Sequence, residues 1–389
     1  MLLFINSERK LVFNRRKLMK KRIFAALLAA TMIVSLCACG EGGDTQTPGG
    51  NNTPATPPSI TTLASFDDFE TILKEDKYKV TEEDVIDYFV SMLCAQGAGL
   101  IEVKDRTTVQ KGDVVQVDYT GYLNDKAFDG GAAKNQVIDV DKNCLFGEYT
   151  GEYGTTFIDK FTDGLVGAVK KTPVKHNVKF PDNYSSKDLA GKETTFEFNV
   201  DRIYVKATPD NVDDAYIEKY LGKQGFTTVE GFLTDCREQL IATAIINSTI
   251  ANSKVEVPDS YLQERLAIYE KAIVDISGAN SLDEFVYNYY QTTVSSIRPY
   301  WLSYIKTCII TETVLAEMVK SKGFAMDETK IAEYVAEIMA VNSSFDDADD
   351  IYFEFGYGNL EAGKTRLGNQ LAITDYILEK YRASQSVTE

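Results

Sequence analysis

Between Val109 and Lys206 apolar and polar positions take turns along the chain. A Gly112-Asp113 turn is followed by Val115, Val117 and Tyr119, which alternate with Gln116, Asp118 and Thr120, the period-two signature of a half-buried strand. Val178 and Phe180 repeat it briefly before Pro181, and Phe196, Phe198 and Val200 alternate with Glu197, Asn199 and Asp201. In between, Phe157, Ile158, Phe161, Leu165 and Val166 change to three- and four-residue spacing and predict a short helix from Phe157 to Val169. An antiparallel sheet with one helix across it, rich in aromatic residues, predicts an α+β, barrel-like domain with an aromatic-lined hollow.

On both sides the pattern is helical. Phe66, Phe69, Ile72 and Leu73 come first; Thr81 with Asp84 three residues on is a capping-box start for a helix bearing Val85, Ile86, Phe89, Val90 and Leu93 on one face. After Thr208-Pro209 a helix is predicted from Thr227 towards Ser253, with Phe232, Leu233, Cys236, Leu240, Ala244 and Ile245 on one side. Pro258 suits a helix start, Ser281 with Glu284 reads as a further capping box, Pro299 is expected to break or kink its helix, and Gly323 to end the next. Ile331 to Val341 and Leu360 to Tyr381 supply two more. Tyr287, Tyr289, Tyr290, Tyr300 and Tyr304 fit two uses equally, lining a surface for unfolded chains or packing helix on helix.

The amino terminus is different. Lys20-Lys21-Arg22 precede an apolar run, Ile23 to Leu36, with small residues after it, which describes a secretory signal; a membrane-spanning or buried helix is the competing reading. Met19 is a candidate start codon. The run ends Leu36-Cys37-Ala38-Cys39-Gly40, which resembles a bacterial lipobox. That resemblance implies cleavage before Cys39, lipid on the Cys39 sulfur, and an extracytoplasmic protein anchored to the cell membrane by acyl chains. Residues 40–58, rich in Gly, Pro, Thr and Asn, read as a disordered spacer.

At 389 residues, 44% hydrophobic and 25% charged, the chain has room for two or three globular domains. Losing residues 1–38 removes eight of 41 basic and one of 58 acidic residues, so the net charge moves from −17 to −24. Such a surface repels nucleic acid and anionic headgroups, leaving cationic or unfolded polypeptides as suitable clients. Cys94, Cys144, Cys236 and Cys308 form no C-x-x-C pair and are expected to be free or buried thiols. His176 is the sole histidine, so neither a metal nor any other cofactor is expected.

The order V-D-Y-T-G, F-D-G-G, F-I-x-x-F-x-D-G-L-x-G, F-P-x-x-Y and G-K-x-x-x-F-x-F-x-V resembles the FKBP family of peptidyl-prolyl isomerases. The stretch Phe180 to Lys192 and Phe161, where many of these proteins carry tryptophan, is similar to the version inside trigger factors. Asp139 to Thr156 departs from the pattern, being longer and richer in Gly and Tyr. The resemblance implies an FKBP-like sheet wrapped on one helix at 107–206, a segment at 63–106 packing on the C-terminal domain, and a helical chaperone-like domain at 207–389, after a signal peptide (1–38) and a tether (39–62). It implies aromatic walls at Tyr119, Phe128, Phe161 and Phe196, with Phe161 as floor and Phe157 and Ile158 lining. The Ile158 N–H and the Tyr184 hydroxyl would donate to the peptide, and Asp129 would accept from Tyr119. Ribosome work is not expected.

Rotation about an Xaa-Pro amide makes and breaks no bond, so a catalyst needs no nucleophile, metal or proton relay, only a site that binds the twisted amide better than either planar form. A dry aromatic hollow with a few oriented donors meets that need. Taken singly, Phe157 and Phe196 would be packing residues and Asp129 a turn residue; their joint order points to a pocket. The expected function is therefore a tethered prolyl isomerase and chaperone for secreted proteins. A non-catalytic holdase using the domain as scaffold is the alternative, and a structural or adhesive lipoprotein a third. A parvulin-type site, which resembles a paired-histidine arrangement, does not suit a chain with one histidine.

Overall fold

The computed structural model describes residues 55–341, 345 and 347–385, so the expected signal, lipidation site and most of the tether lie outside the described residues. The described residues divide into two compact units, one formed by those up to Val80 together with those from Glu238 on, and the other by Thr81–Arg237.

The first described element belongs to the helical unit. Strand β1 (Ser59–Thr62) pairs antiparallel with a later strand at Lys254–Glu256, and a short helix α1 (Phe69–Ile72) follows, capped by Asp68. The expected tether at 39–62 is thus corrected at its end: Ile60 is apolar, is drawn into the helical core and pairs with Val255.

The sheet unit opens with helix α2 (Glu82–Ala95), where Thr81 and Asp84 form the predicted capping box reciprocally. Strands β2 (Leu100–Glu102), β3 (Val114–Leu123), β4 (Lys126–Asp139), β5 (Cys144–Phe146), β6 (Tyr153–Thr156), β7 (Val174–Lys179) and β8 (Glu193–Lys206) follow. All pair antiparallel in the order β2-β8-β3-β4-β5-β6, with β7 on β8. Val115 and Val117 point into one core with Ile138, Phe161, Phe196, Phe198 and Val200. Val114 is fully buried too, because its face of the sheet meets Val90 and Cys94 of α2. Covering both faces here is why alternation fails at the start of β3.

The long Asp139–Thr156 connection folds as the β5–β6 hairpin, which extends the sheet and carries Phe146 and Tyr153 onto α2. Gly151 lies so close to Ser91 of α2 that an added Cβ would stand 2.4 Å from its Cα. A short helix α3 (Asp214–Leu221) and the start of helix α4 (Val229–Asn252), whose Phe232 contacts Phe89 of α2, complete the unit. The expected segment 63–106 therefore divides: Phe66, Ile72 and Tyr78 join the helical core, whereas α2 covers the sheet, because its apolar face fits Val114, Phe146 and Tyr204.

In the helical unit, α4 leads through β9 (Lys254–Glu256) to α5 (Asp259–Ser277), α6 (Leu282–Tyr290), α7 (Val294–Lys322), α8 (Glu328–Val341), α9 (Ala348–Phe355) and α10 (Leu360–Gln385). Ser281 caps α6, but the Glu284 carboxylate reaches the Asn280 N–H rather than that of Ser281. The expected break at Pro299 is corrected. The chain turns earlier, at Gln291 with φ +53°, and Thr293 caps a new helix that runs through Pro299 to Gly323, whose φ is +71°. Pro299 stands in the second turn of that helix and forgoes the single backbone bond its position would give to the Ser295 carbonyl. Separate apolar clusters form around Ile245, Val314 and Ile377, around Phe285, Trp301 and Ile305, and around Ile331, Ile351 and Leu367. All four cysteines outside the masked residues are buried free thiols. Burial pushes the Cys94 thiol up to about 12, which keeps it protonated and inert.

Candidate active site

The expected helix from Phe157 to Val169 is not an α-helix. Lys160 takes φ +62° and Gly167 φ +86°, leaving a single 3-10 turn at Thr162–Gly164, and Val166 stays 51% exposed. A left-handed residue at 160 cannot continue a right-handed helix, so the apolar spacing is met by consecutive turns instead. The same residues still turn inward: Phe161 is 2% exposed and Leu165 fully buried.

Phe161 is the base of the aromatic cluster. The ring of Tyr119 from β3 meets it edge-on at 5.2 Å, and Phe196 and Phe198 from β8 do so at 4.9 and 5.0 Å. Phe157 stacks on its face at 4.4 Å with the planes 12° apart. Phe128 from β4 stands edge-on to Phe196 at 5.9 Å and to Phe180 at 6.0 Å, and Tyr184 packs on Phe180 at 4.6 Å. Tyr119, Phe128, Phe157, Ile158 and Tyr184 are all partly buried against this one core, so rings from distant points of the sequence share a single apolar surface.

Phe128 reaches its place through a local irregularity. Thr120 pairs with Ala132 but Tyr122 with Ala127, so β4 carries extra residues between them and its chain bulges. The Phe128 ring then lies against two glycines: a Cβ added at Gly121 would stand 2.5 Å from its Cζ, and one at Gly131 2.4 Å from its Cε2. The bulge that turns Phe128 inward leaves its neighbour Asp129 exposed. Asp129 receives no hydrogen bond from Tyr119 among the described residues, which corrects the role expected for it. Burial raises the Tyr119 phenol above its ordinary 10, so the hydroxyl is a neutral donor.

The polar equipment of the surface is sparse. The Ile158 N–H donates to no protein group among the described residues, whereas its carbonyl accepts from Phe161 N at 3.1 Å. The Tyr119 and Tyr184 hydroxyls likewise have no hydrogen-bond partner there. An apolar surface with unengaged donors at its edge can hold a proline ring and orient the preceding carbonyl. Cys39, the expected lipid site, lies outside the described residues.

One participant was missed in the sequence. Asn143, between β4 and β5, ties down the segment that carries Phe157, Ile158 and Phe161. Its only sequence signal was an Asp-Lys-Asn turn inside the unusual connection.

Residues 105–202 match the family described as FKBP-type peptidyl-prolyl cis-trans isomerase. Among curated proteins, the chain is 27% identical over 323 residues to the trigger factor of Clostridium tetani, covering 79% of this chain and 68% of that one. It is 25% identical over 280 residues to that of Clostridium botulinum, covering 68% and 60%, and 29% identical over 198 residues to that of Acetivibrio thermocellus, covering 48% and 42%. The chain thus spans about two thirds or less of the length of these relatives. A solved structure from work titled "Promiscuous Substrate Recognition in Folding and Assembly Activities of the Trigger Factor Chaperone" aligns with 83% of this chain and 73% of its own at 15% identity, with a TM-score of 0.28, too low to add to the fold. Residues 105–202 are an FKBP-type peptidyl-prolyl cis-trans isomerase domain, carried in a chain that is trigger-factor-like around it.

Proposed function

We propose that the whole protein is a prolyl isomerase and folding chaperone, tethered outside the cytoplasm by lipid on Cys39 and acting on secreted polypeptides. The observation that carries the catalytic part is the surface on Phe161 and Phe196, ringed by Tyr119, Phe128, Ile158 and Tyr184, with an unengaged Ile158 N–H at its edge. A proline ring placed there would leave water, and the twisted amide, less charge-separated than its planar forms, suits an apolar seat better than they do. The Ile158 N–H and the Tyr184 hydroxyl would orient the flanking carbonyls. The tether rests on the sequence alone: a basic flank, an apolar run and Leu36-Cys37-Ala38-Cys39. A net charge of −17 for the full chain favours clients that are cationic or unfolded.

A holdase without turnover is supported by one specific feature: Phe157 lies flat on Phe161 and covers the expected floor. Truncating that ring separates the two readings. If the site is catalytic, Phe157→Ala changes the rate of proline-peptide isomerisation while leaving aggregation suppression intact. A rate equal to the uncatalysed one in both proteins, with suppression persisting, assigns the holdase. For the tether, Cys39→Ser is expected to release the protein from membrane fractions; continued membrane recovery contradicts lipidation at that residue.

A further inference from the structure

The geometry points to Asn143 as the positioning residue of the isomerase site, an inference that rests on the catalytic reading above. Its side chain spans the segment from Phe157 to Thr162. Nδ2 donates to the carbonyls of Phe157 at 3.2 Å and Ile158 at 3.1 Å, and Oδ1 accepts from the Thr162 N–H at 3.2 Å. Two carbonyls on one side and an N–H on the other fix which end of the amide is which. The Asn143 carbonyl also accepts from the Phe157 N–H at 2.9 Å. Through these bonds one residue holds the start and the end of the stretch that bears the lining rings, the unengaged Ile158 donor and the Phe161 floor.

This stretch needs such a clamp because no regular ladder holds it. It is neither strand nor α-helix, and Lys160 within it is left-handed. The platform beneath Asn143 is firm. Fully buried Asp139 accepts from the Asp141 and Lys142 N–H groups at 3.0 and 2.9 Å and pairs with Lys206 at 2.8 Å. Buried Thr162 donates its hydroxyl to the Val140 carbonyl at 2.8 Å. The hairpin beyond is itself joined to α2, where the Tyr153 hydroxyl donates to Asp87 at 2.9 Å and Lys142 pairs with Glu83.

The backbone narrows the choice of residue at this position. Asn143 has φ +51°, a conformation that glycine, asparagine and aspartate adopt most readily. Of these only asparagine offers both the donors for the two carbonyls and the acceptor for Thr162. Glycine keeps the turn and removes every side-chain bond. Aspartate keeps the acceptor but sets a carboxylate against two carbonyl oxygens.

The test uses the full chain with Asn143→Gly, Asn143→Asp and, as control, Thr150→Ala. Thr150 is buried in the same hairpin, where its hydroxyl accepts from the Glu152 N–H at 3.2 Å, away from the clamped segment. Rates on a proline peptide are measured well below each variant's unfolding midpoint, together with amide exchange of Phe161 and Thr162. Both Asn143 variants are expected to lose about tenfold or more in kcat/KM, as small misplacements of a binding group do, and Asn143→Gly to exchange the two amides faster. Thr150→Ala is expected to lower the midpoint while keeping kcat/KM within about twofold. An Asn143→Gly protein that unfolds earlier but retains kcat/KM and amide protection overturns the inference and leaves Asn143 a purely structural residue. If the wild type itself shows no turnover, the catalytic reading fails, and amide exchange alone decides whether Asn143 holds the segment.

Discussion

The two units handle aromatic residues in opposite ways. In the sheet unit, rings from β3, β4, β8 and the turn segment meet within about 6 Å of one another around Phe161. In the helical unit the apolar residues fall into separate clusters, and two tyrosines stay outside them: Tyr287 is 65% and Tyr300 68% exposed. Tyr289, by contrast, stacks on Phe285 at 4.7 Å, and Tyr304 meets Tyr357 at 5.3 Å. One unit concentrates its rings on a single apolar surface; the other spreads them over helix surfaces, where many weak contacts can form.

The largest effect that sharpens this contrast is expected at Trp301, which is 1% exposed in the cluster with Phe285 and Ile305. Trp301→Ala should cost roughly 3–5 kcal/mol, read as an early unfolding transition of the helical unit, with the proline-peptide rate unchanged. Loss of that rate would break the division of labour. Next in size, Gly121→Ala drives a methyl into the Phe128 and Phe196 rings. It should cost about 1–3 kcal/mol in denaturant unfolding and lower turnover in the folded protein.

Smaller effects follow. Tyr119→Phe removes a neutral hydroxyl worth about 0.5–1.5 kcal/mol, so turnover should fall roughly two- to tenfold. Because burial holds that phenol protonated beyond its ordinary 10, the wild-type rate should be flat from about pH 6 to 9; a bell-shaped profile would implicate a titrating group instead. Asp129→Ala, at an exposed position, should leave turnover within about twofold. Replacing Tyr287 and Tyr300 by Ser should alter stability by no more than about 0.5 kcal/mol yet weaken aggregation suppression. Undiminished suppression would place client contacts elsewhere.

The sheet's strands were legible because alternation survives wherever one face is dry, as at Phe196, Phe198 and Val200. The turn segment was misread as a helix, since spacing at Phe157, Phe161 and Leu165 records which residues go inward but not the left-handed Lys160 between them. Asp129 was misassigned because a bulge is invisible in the pattern, and only pairing with β3 reveals it. Asn143 was hidden for a related reason. Its partners are backbone groups many residues away, which no side-chain pattern announces. In the helical unit, Pro299 misled because one forgone backbone bond does not stop a helix whose Trp301, Ile305 and Ile309 are buried in a cluster.

The central claim is that the surface on Phe161 favours a twisted Xaa-Pro amide. Its most direct test is the rate at which a proline peptide relaxes between cis and trans, a process that takes tens to hundreds of seconds unaided. The wild type and Phe161→Leu are compared at a temperature where both are folded. A wild type that shortens the relaxation, with the variant slower by about tenfold or more, is the predicted result. Relaxation at the unaided rate in both proteins would contradict it.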